Sequence, residues 1–162
     1  MQRHFRNRGM GLIEIVIGSA IIVTGILSLI SAFGMYISYA LAHQRNVQAA
    51  YLAEEGLEAV TYLRDKSWTT NVQPLSTTTT YYLAWDTSAA YWKATTTMQY
   101  IDAEFLRTFA ITDVVRDSNG RIATTGTYDA DTKKITVNLS YREGKATTTK
   151  SMTTYIADIY SN

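Results

Sequence analysis

A run of 28 residues, from Ile15 to Ala42, contains no charged side chain. Isoleucine, valine, leucine and alanine dominate it. A helix needs roughly 20 apolar residues to cross a bilayer core, so the run is long enough to span one. Helices of soluble proteins that stay apolar on every face over such a length are rare. The run therefore predicts a membrane-spanning helix rather than a buried core helix.

The charges on either side of the run predict its orientation. Three arginines lie within the first nine residues. Between the run and residue 60 the only strong base is Arg45, against three glutamates. Positive flanks stay on the cytoplasmic side, so we expect a single-pass protein of the inner (cytoplasmic) membrane. Its N-terminus is expected in the cytoplasm and its C-terminal part outside.

Composition disfavours most enzyme chemistry. The chain has no cysteine, which removes disulfides, thiolate nucleophiles and thiolate metal sites. Its two histidines are His4 and His43, so none lies further along the chain, where serine triads and most metal hydrolases need one. The net charge is only +1, so nucleic acid is not an expected partner. We predict a protein that is not an enzyme and has no cofactor and no metal site.

One carboxylate lies at the start of the apolar run, in the sequence Arg8-Gly9-Met10-Gly11-Leu12-Ile13-Glu14. A basic leader that ends in Gly9, followed by apolar Met10 with Glu14 as the fifth residue counted from it, resembles the type IV prepilin signature. That family more often has phenylalanine and threonine where this chain has Met10 and Gly11. The resemblance implies that prepilin peptidase cuts between Gly9 and Met10 and N-methylates Met10. Residues 1–9 would then be a cytoplasmic leader.

The same resemblance suggests a function for Glu14. In a filament, this carboxylate would leave lipid and become buried among helices, where it needs a counter-ion. The α-amino group of Met10 on a neighbouring subunit is a suitable cation, and the pair would set the axial register. Further along, Gly34, Ser38 and Ala42 form a strip of small residues that permits close helix packing. Such residues are also common in membrane helices generally, so the strip is either a packing surface for another helix or an ordinary feature of a membrane helix.

The helix is expected to continue past the apolar run. Residues 43–66 are rich in good helix formers, and no proline occurs before Pro74. Apolar residues recur there at spacings close to one helical turn: Val47, Ala50, Leu57, Val60 and Leu63. We predict one helix from about residue 11 to residue 66, with residues 10–42 in the membrane or filament core and residues 43–66 as an amphipathic continuation.

Residues 67–162 change character and are predicted to form a β-rich globular head. Lys134 to Tyr141 alternates between apolar and polar residues, which is typical of a half-buried strand. A turn at residues 142–145 and a strand from Ala146 to Tyr160 would complete a C-terminal hairpin. Three other segments read as strands, near 81–85, 91–100 and 105–115. The expected fold is α+β and pilin-like: a long N-terminal helix packed on an antiparallel sheet of four or five strands.

The head contains three groups of residues with a possible binding role. Tyrosines and tryptophans between residues 81 and 92 can stack on sugars or single-stranded DNA, although sheet packing is the favoured interpretation. Lysines at 133–134 and 145–150 are interpreted as a solvated face rather than a phosphate site. Asp129-Ala130-Asp131 lacks the further ligands of a calcium loop and is interpreted as a surface turn.

These observations favour a structural subunit, a minor pilin or pseudopilin of a type IV pilus-like or type II secretion-like filament. The expected partners are other pilin subunits, prepilin peptidase, the pilus assembly platform and, before assembly, membrane lipid. Loss of the leader would take the 15 basic side chains to 12, against 14 acidic ones. An alternative keeps the leader and uses the helix as a permanent anchor for an adhesive head. A third possibility is secretion after cleavage behind Ala42, where Ala40-Leu41-Ala42 fits a signal-peptidase pattern.

Overall fold

A computed structural model describes residues 10–159 of the chain. The first helix, α1, runs without a break from Met10 to Lys66, so the predicted long helix is confirmed. The next residue, Ser67, has an extended backbone (φ −174°, ψ 115°), and its side chain accepts a hydrogen bond from the Thr70 N–H to cap the short helix α2 (Trp68–Asn71). The chain divides into two compact units at Gln44, so residues 45–66 of α1 belong to the same unit as the sheet.

All strands of the head belong to one antiparallel sheet, which confirms the predicted α+β fold. The main path is β2-β1-β4-β6-β7, and two short strands, β3 and β5, also pair with β4. The sheet has seven strands rather than the four or five expected, because β3 and β5 contain two residues each and leave no periodic pattern. The strands are β1 (Thr80–Asp86), β2 (Tyr91–Thr95), β3 (Tyr100–Ile101), β4 (Phe105–Arg116), β5 (Ile122–Ala123), β6 (Thr127–Glu143) and β7 (Ala146–Ala157).

The C-terminal hairpin follows the predicted alternation. Ile135, Val137 and Leu139 of β6 are fully buried, and Tyr141 is almost so. The neighbouring polar residues of β6 face the other side, where Ser140 lies 2.8 Å from the Thr149 hydroxyl of β7. The hairpin turn lies between Glu143 and Ala146, as expected, and β7 ends at Ala157. The last predicted strand residue, Tyr160, lies outside the described residues.

The helix face that packs on the sheet differs from the predicted stripe. Val60 and Leu63 are buried as expected, but Val47 is 41% exposed. The buried stripe begins instead with small residues, Ala49, Ala53 and Gly56, spaced at one helical turn. Small side chains allow the helix backbone to lie close to the sheet. The predicted stripe was based mainly on larger apolar residues and therefore missed these positions.

Gly56 marks the closest approach between α1 and the sheet. A Cβ atom built there would lie 2.9 Å from Cδ of Arg107 and 2.9 Å from Cγ1 of Val137. Neither atom can move freely, because both side chains are buried. The glycine is therefore required by packing rather than by backbone conformation.

Gly56→Ala is expected to lower the free energy of unfolding of the head by about 1–2 kcal/mol. Overpacking costs about 1–3 kcal/mol, and alanine returns up to about 1 kcal/mol of helix propensity. Urea denaturation of the full chain in detergent, followed by near-UV circular dichroism, measures the change. Gly34→Ala is the matched control, since a Cβ at Gly34 would meet nothing within 4 Å. Unchanged or raised stability of Gly56→Ala would contradict this account of the packing.

Candidate functional site

The predicted processing and assembly residues lie at the start of α1. Met10 is the first residue of the helix, and Gly9 lies outside the described residues. Glu14 follows one turn later, is solvent-exposed, and has no hydrogen-bond or ion-pair partner among residues 10–159. From Ile15 to Leu41 the large apolar side chains are exposed, most of them by more than half. A carboxylate without a partner thus adjoins an apolar surface that nothing within the described chain covers.

Helix α1 is long and apolar enough to cross a membrane. Its most apolar 18-residue window has a mean hydropathy of 2.4, and none of that window is buried. A helix in the core of a soluble domain would instead be mostly buried within its own chain. The described part of the chain has no other helix with this length and composition.

The serine and threonine hydroxyls inside the apolar run donate hydrogen bonds to the helix backbone. Ser38 donates to the Gly34 carbonyl at 3.0 Å, and Thr24 donates to the Ala20 carbonyl at 2.8 Å. The other serines of the run also donate to carbonyls three or four residues back: Ser19, Ser28 and Ser31. Because lipid offers no hydrogen-bond partners, this arrangement lets polar residues occur in an apolar helix at low cost. Glu14 has no such internal partner.

The predicted small-residue strip lies along α1. Gly34 and Ser38 are exposed, Ala42 is half-buried, and their four-residue spacing puts them on one side of the helix. Their role in packing against another helix remains a prediction. Two exposed tyrosines, Tyr36 and Tyr39, lie close to this strip.

The aromatic residues between 81 and 92 do not form a single patch. Tyr81 is buried in the core, 5.6 Å from the ring of Phe109, as the packing interpretation predicts. Trp85 and Trp92 are directly opposite each other across β1 and β2, with ring centroids 5.4 Å apart and an angle of 74° between the planes. Trp85 is 50% exposed, so this pair lies at the surface beside α1.

The loop of the β1–β2 hairpin fixes that tryptophan pair. The Asp86 carboxylate accepts hydrogen bonds from the backbone N–H groups of Ser88 and Ala89, at 3.0 and 3.1 Å. It also pairs with Lys93 at 3.1 Å. The bond from Ala89, followed by the one from Lys93, holds the pKa of Asp86 below its ordinary value. Asp86 therefore stabilises the loop that joins the two strands in which Trp85 and Trp92 are paired.

Arg107 was not among the residues that sequence reasoning identified. Its side chain extends from β4 toward the face of α1 that packs on the sheet, and the residue is only 4% exposed. Its guanidinium donates to the Leu52 carbonyl at 3.0 Å and to Glu55 at 2.7 Å, and it lies 5.1 Å from the Trp92 ring centroid. It therefore connects the helix, the sheet and the tryptophan pair. An arginine at an inward position of an otherwise apolar strand was the available signal, in the stretch Phe105-Leu106-Arg107-Thr108-Phe109.

The lysines near residue 133 are not simply a solvated face, so that interpretation is wrong for Lys133. Its ammonium donates to Asp113 at 2.6 Å and to the Tyr128 hydroxyl at 2.8 Å, and the residue is 6% exposed. Burial alone would lower the pKa of Lys133, but the hydrogen bonds to Asp113 and Tyr128 outweigh it and raise that pKa. This lysine is paired within the head.

Polar groups of the Asp129–Asp131 segment already form hydrogen bonds within the head. Asp129 accepts from Arg116 Nε at 2.5 Å and from the backbone N–H of Asp131 at 3.0 Å. The Arg116 bond holds the pKa of Asp129 below its ordinary value. Within residues 10–159, no group of three or more acidic or histidine side chains is arranged to hold a metal ion.

Comparison of the chain with protein-family models, with curated proteins and with solved structures finds no match in any of the three.

Proposed function

We propose that the chain is a structural subunit, a minor pilin or pseudopilin, of a type IV pilus-like or type II secretion-like filament. The observation that carries this proposal is the start of α1. In the sequence, Gly9 ends a basic leader, and in the described part of α1 a Glu14 without a partner among residues 10–159 precedes a long exposed apolar surface. These features suit a subunit that is cleaved by a peptidase, held in the membrane by its helix and then packed among other copies in a filament.

The proposed membrane position follows from distances along α1. Glu14 and Tyr36 are 22 residues apart, or about 33 Å along a helix, close to the ~30 Å thickness of a hydrocarbon core. Tyrosines favour the interface, which suits Tyr36 and Tyr39. With basic residues retained inside, the head lies outside the cytoplasmic membrane and, after assembly, in a cell-surface or periplasmic filament.

The proposed partners follow from the same surface. Before assembly, lipid covers the apolar part of α1. Prepilin peptidase cuts after Gly9 and methylates Met10, and the pilus assembly platform extracts the subunit. In the filament, helices of other pilin subunits replace lipid around α1, with Gly34, Ser38 and Ala42 as a close-packing strip.

Mass analysis of the N-terminus tests this proposal. We expect protein isolated from cells to begin at N-methylated Met10. An intact Met1 would favour a permanently anchored adhesive head, and a start at His43 would favour secretion after signal-peptide cleavage. Either result would overturn the filament proposal.

A variant at the cleavage site sharpens the test. Gly9→Val is expected to block cleavage almost completely and to leave full-length protein in the membrane fraction. Gly18→Ala is the matched control, because a Cβ at Gly18 meets nothing within 4 Å and the residue lies away from the cut. Normal processing of Gly9→Val would contradict the assigned site.

A further inference from the structure

A groove lies between α1 and the β1–β2 hairpin of the head. Its volume is about 300 Å³, and its walls are formed by Glu55, Glu58, Ala59, Tyr62, Trp85, Ala90 and Trp92. We call this set the aromatic groove. Its size is at the lower end of the ~300–1,000 Å³ range of small-ligand pockets. All of these residues belong to the compact unit that begins at Arg45 and contains the sheet.

The aromatic wall of the groove is partly exposed. Trp85 is 50% exposed and Tyr62 is 41% exposed. Trp92 contacts Trp85 edge to face and has the buried Arg107 guanidinium 5.1 Å from its ring centroid. Trp92 is therefore already engaged with an internal cation, whereas Trp85 has no cation near its ring among the described residues.

The charge of the groove is negative. Glu55 is neutralised by Arg107, at 2.7 Å. Glu58 has no hydrogen-bond or ion-pair partner within residues 10–159 and is exposed. No lysine or arginine lines the groove. A partly exposed indole ring beside an uncompensated carboxylate attracts an organic cation, since the ring face carries a negative quadrupole.

A neighbouring contact shows that rings of this hairpin do hold cations. Lys66, the last residue of α1, places its Nζ 3.1 Å from the ring centroid of Tyr91, the first residue of β2. Tyr91 is thereby occupied, as Trp92 is by Arg107. Trp85, which lines the groove together with Glu58, also has an aromatic ring but has no such cation among residues 10–159.

We propose that the aromatic groove binds a small organic cation with an alkylated ammonium group, such as a quaternary ammonium compound. The cation lies against the Trp85 ring, with Glu58 as its counter-charge and Tyr62 beside it. An anion is disfavoured by the uncompensated carboxylate of Glu58. A sugar can hydrogen-bond to Glu58 and Tyr62 but leaves the Glu58 charge without a counter-ion, so a cation is favoured over a sugar. This inference concerns the head alone and does not depend on leader cleavage or filament assembly.

Titration of tryptophan fluorescence tests the inference on the full chain in a neutral polyoxyethylene detergent, which carries neither a sugar nor an ammonium group. The probe is choline, with ionic strength held constant by sodium chloride. Saturable quenching by choline is expected. Trp68 is 6% exposed in the core and provides a constant background. The uncharged isostere 3,3-dimethylbutan-1-ol is expected to bind about fivefold more weakly or not at all.

Variants assign the binding to the groove. Glu58→Gln is expected to weaken choline binding about threefold or more. Trp85→Ala is expected to weaken it about fivefold or more and Trp85→Phe to retain part of the affinity, both measured by titration calorimetry because Trp85 is itself the fluorescent reporter. Glu54→Gln is the matched control, because it makes the same charge change on the same helix but Glu54 does not line this groove. It is expected to bind choline like the unmodified chain.

Three results would overturn the proposal. The first is quenching by choline that does not saturate or that equals the effect of sodium chloride. The second is equal binding of choline and its uncharged isostere. The third is saturable quenching by methyl glucoside but not by choline, which would make the groove a sugar site. N-terminal processing has a separate readout, so failure here leaves the filament proposal intact.

Discussion

Phe109→Ala is expected to lower the free energy of unfolding of the head by about 3–5 kcal/mol, the usual range for deleting a buried aromatic ring. Phe109 lies in β4, the strand that pairs with both β1 and β6, and it is fully buried. Its ring lies 5.6 Å from Tyr81, and in the sheet it is opposite Tyr81 on one side and Val137 on the other. Its loss would leave a cavity under α1 that these strands cannot close.

Urea denaturation of the full chain in detergent, followed by near-UV circular dichroism, measures this loss. Tyr155→Ala is the matched control, because Tyr155 lies in the same sheet but is 47% exposed. We expect the control to change the unfolding free energy by less than about 1 kcal/mol. If the two variants lost similar stability, Phe109 would not be a central core residue.

Local periodicity made the long helix and the central strands predictable. A continuous helix requires only residues with good propensity and no breaker, and α1 meets both conditions up to Ser67. In β6, alternation from Lys134 to Tyr141 identified the buried face, because a half-buried strand exposes every second side chain. Such patterns are visible in sequence because they repeat within one element.

Contacts between distant elements were not predictable from the sequence. The stripe of Ala49, Ala53 and Gly56 is buried because of how closely the helix approaches the sheet, and side-chain size alone does not reveal this. Arg107 pairs with Glu55, 52 residues away. Pairings of this length depend on the order of strands in the sheet, which alternation within one strand does not determine.

The aromatic groove also combines features that could be predicted from the sequence with features that could not. The sequence placed Trp85 and Trp92 close together along the chain and predicted strands for both. Their direct pairing depends on a four-residue loop held by Asp86, and Glu58 joins them only when α1 packs beside the hairpin. The resemblance at Gly9–Glu14, in contrast, rests on residues that are neighbours in the chain, so it depends on sequence alone and stays a prediction.

Under the filament proposal, Glu14→Gln is expected to leave membrane insertion intact and to reduce incorporation into filaments about tenfold or more. A charge-assisted hydrogen bond contributes about 1.5–3 kcal/mol, and 1.4 kcal/mol corresponds to about a factor of ten. Glutamine keeps nearly the same shape but removes the negative charge that would pair with the methylated amino group of a neighbouring Met10. Insertion does not need that charge, since a carboxylate at the edge of the hydrocarbon core costs free energy in lipid rather than stabilising the inserted helix.

The ratio of protein in sheared filaments to protein in the membrane fraction measures incorporation, and mass analysis of the N-terminus separates it from processing. Glu54→Gln is the matched control, since it makes the same change on the exposed face of α1 within the head. If Glu14 only extended to the lipid headgroups, Glu14→Gln would assemble like this control. A processed Glu14→Gln subunit that stays in the membrane would instead mean that the carboxylate acts after cleavage, when one subunit meets the N-terminus of the next. Because such a pair forms at only one axial offset between helices, loss of the charge would remove the register before it removed the attraction of the apolar surfaces.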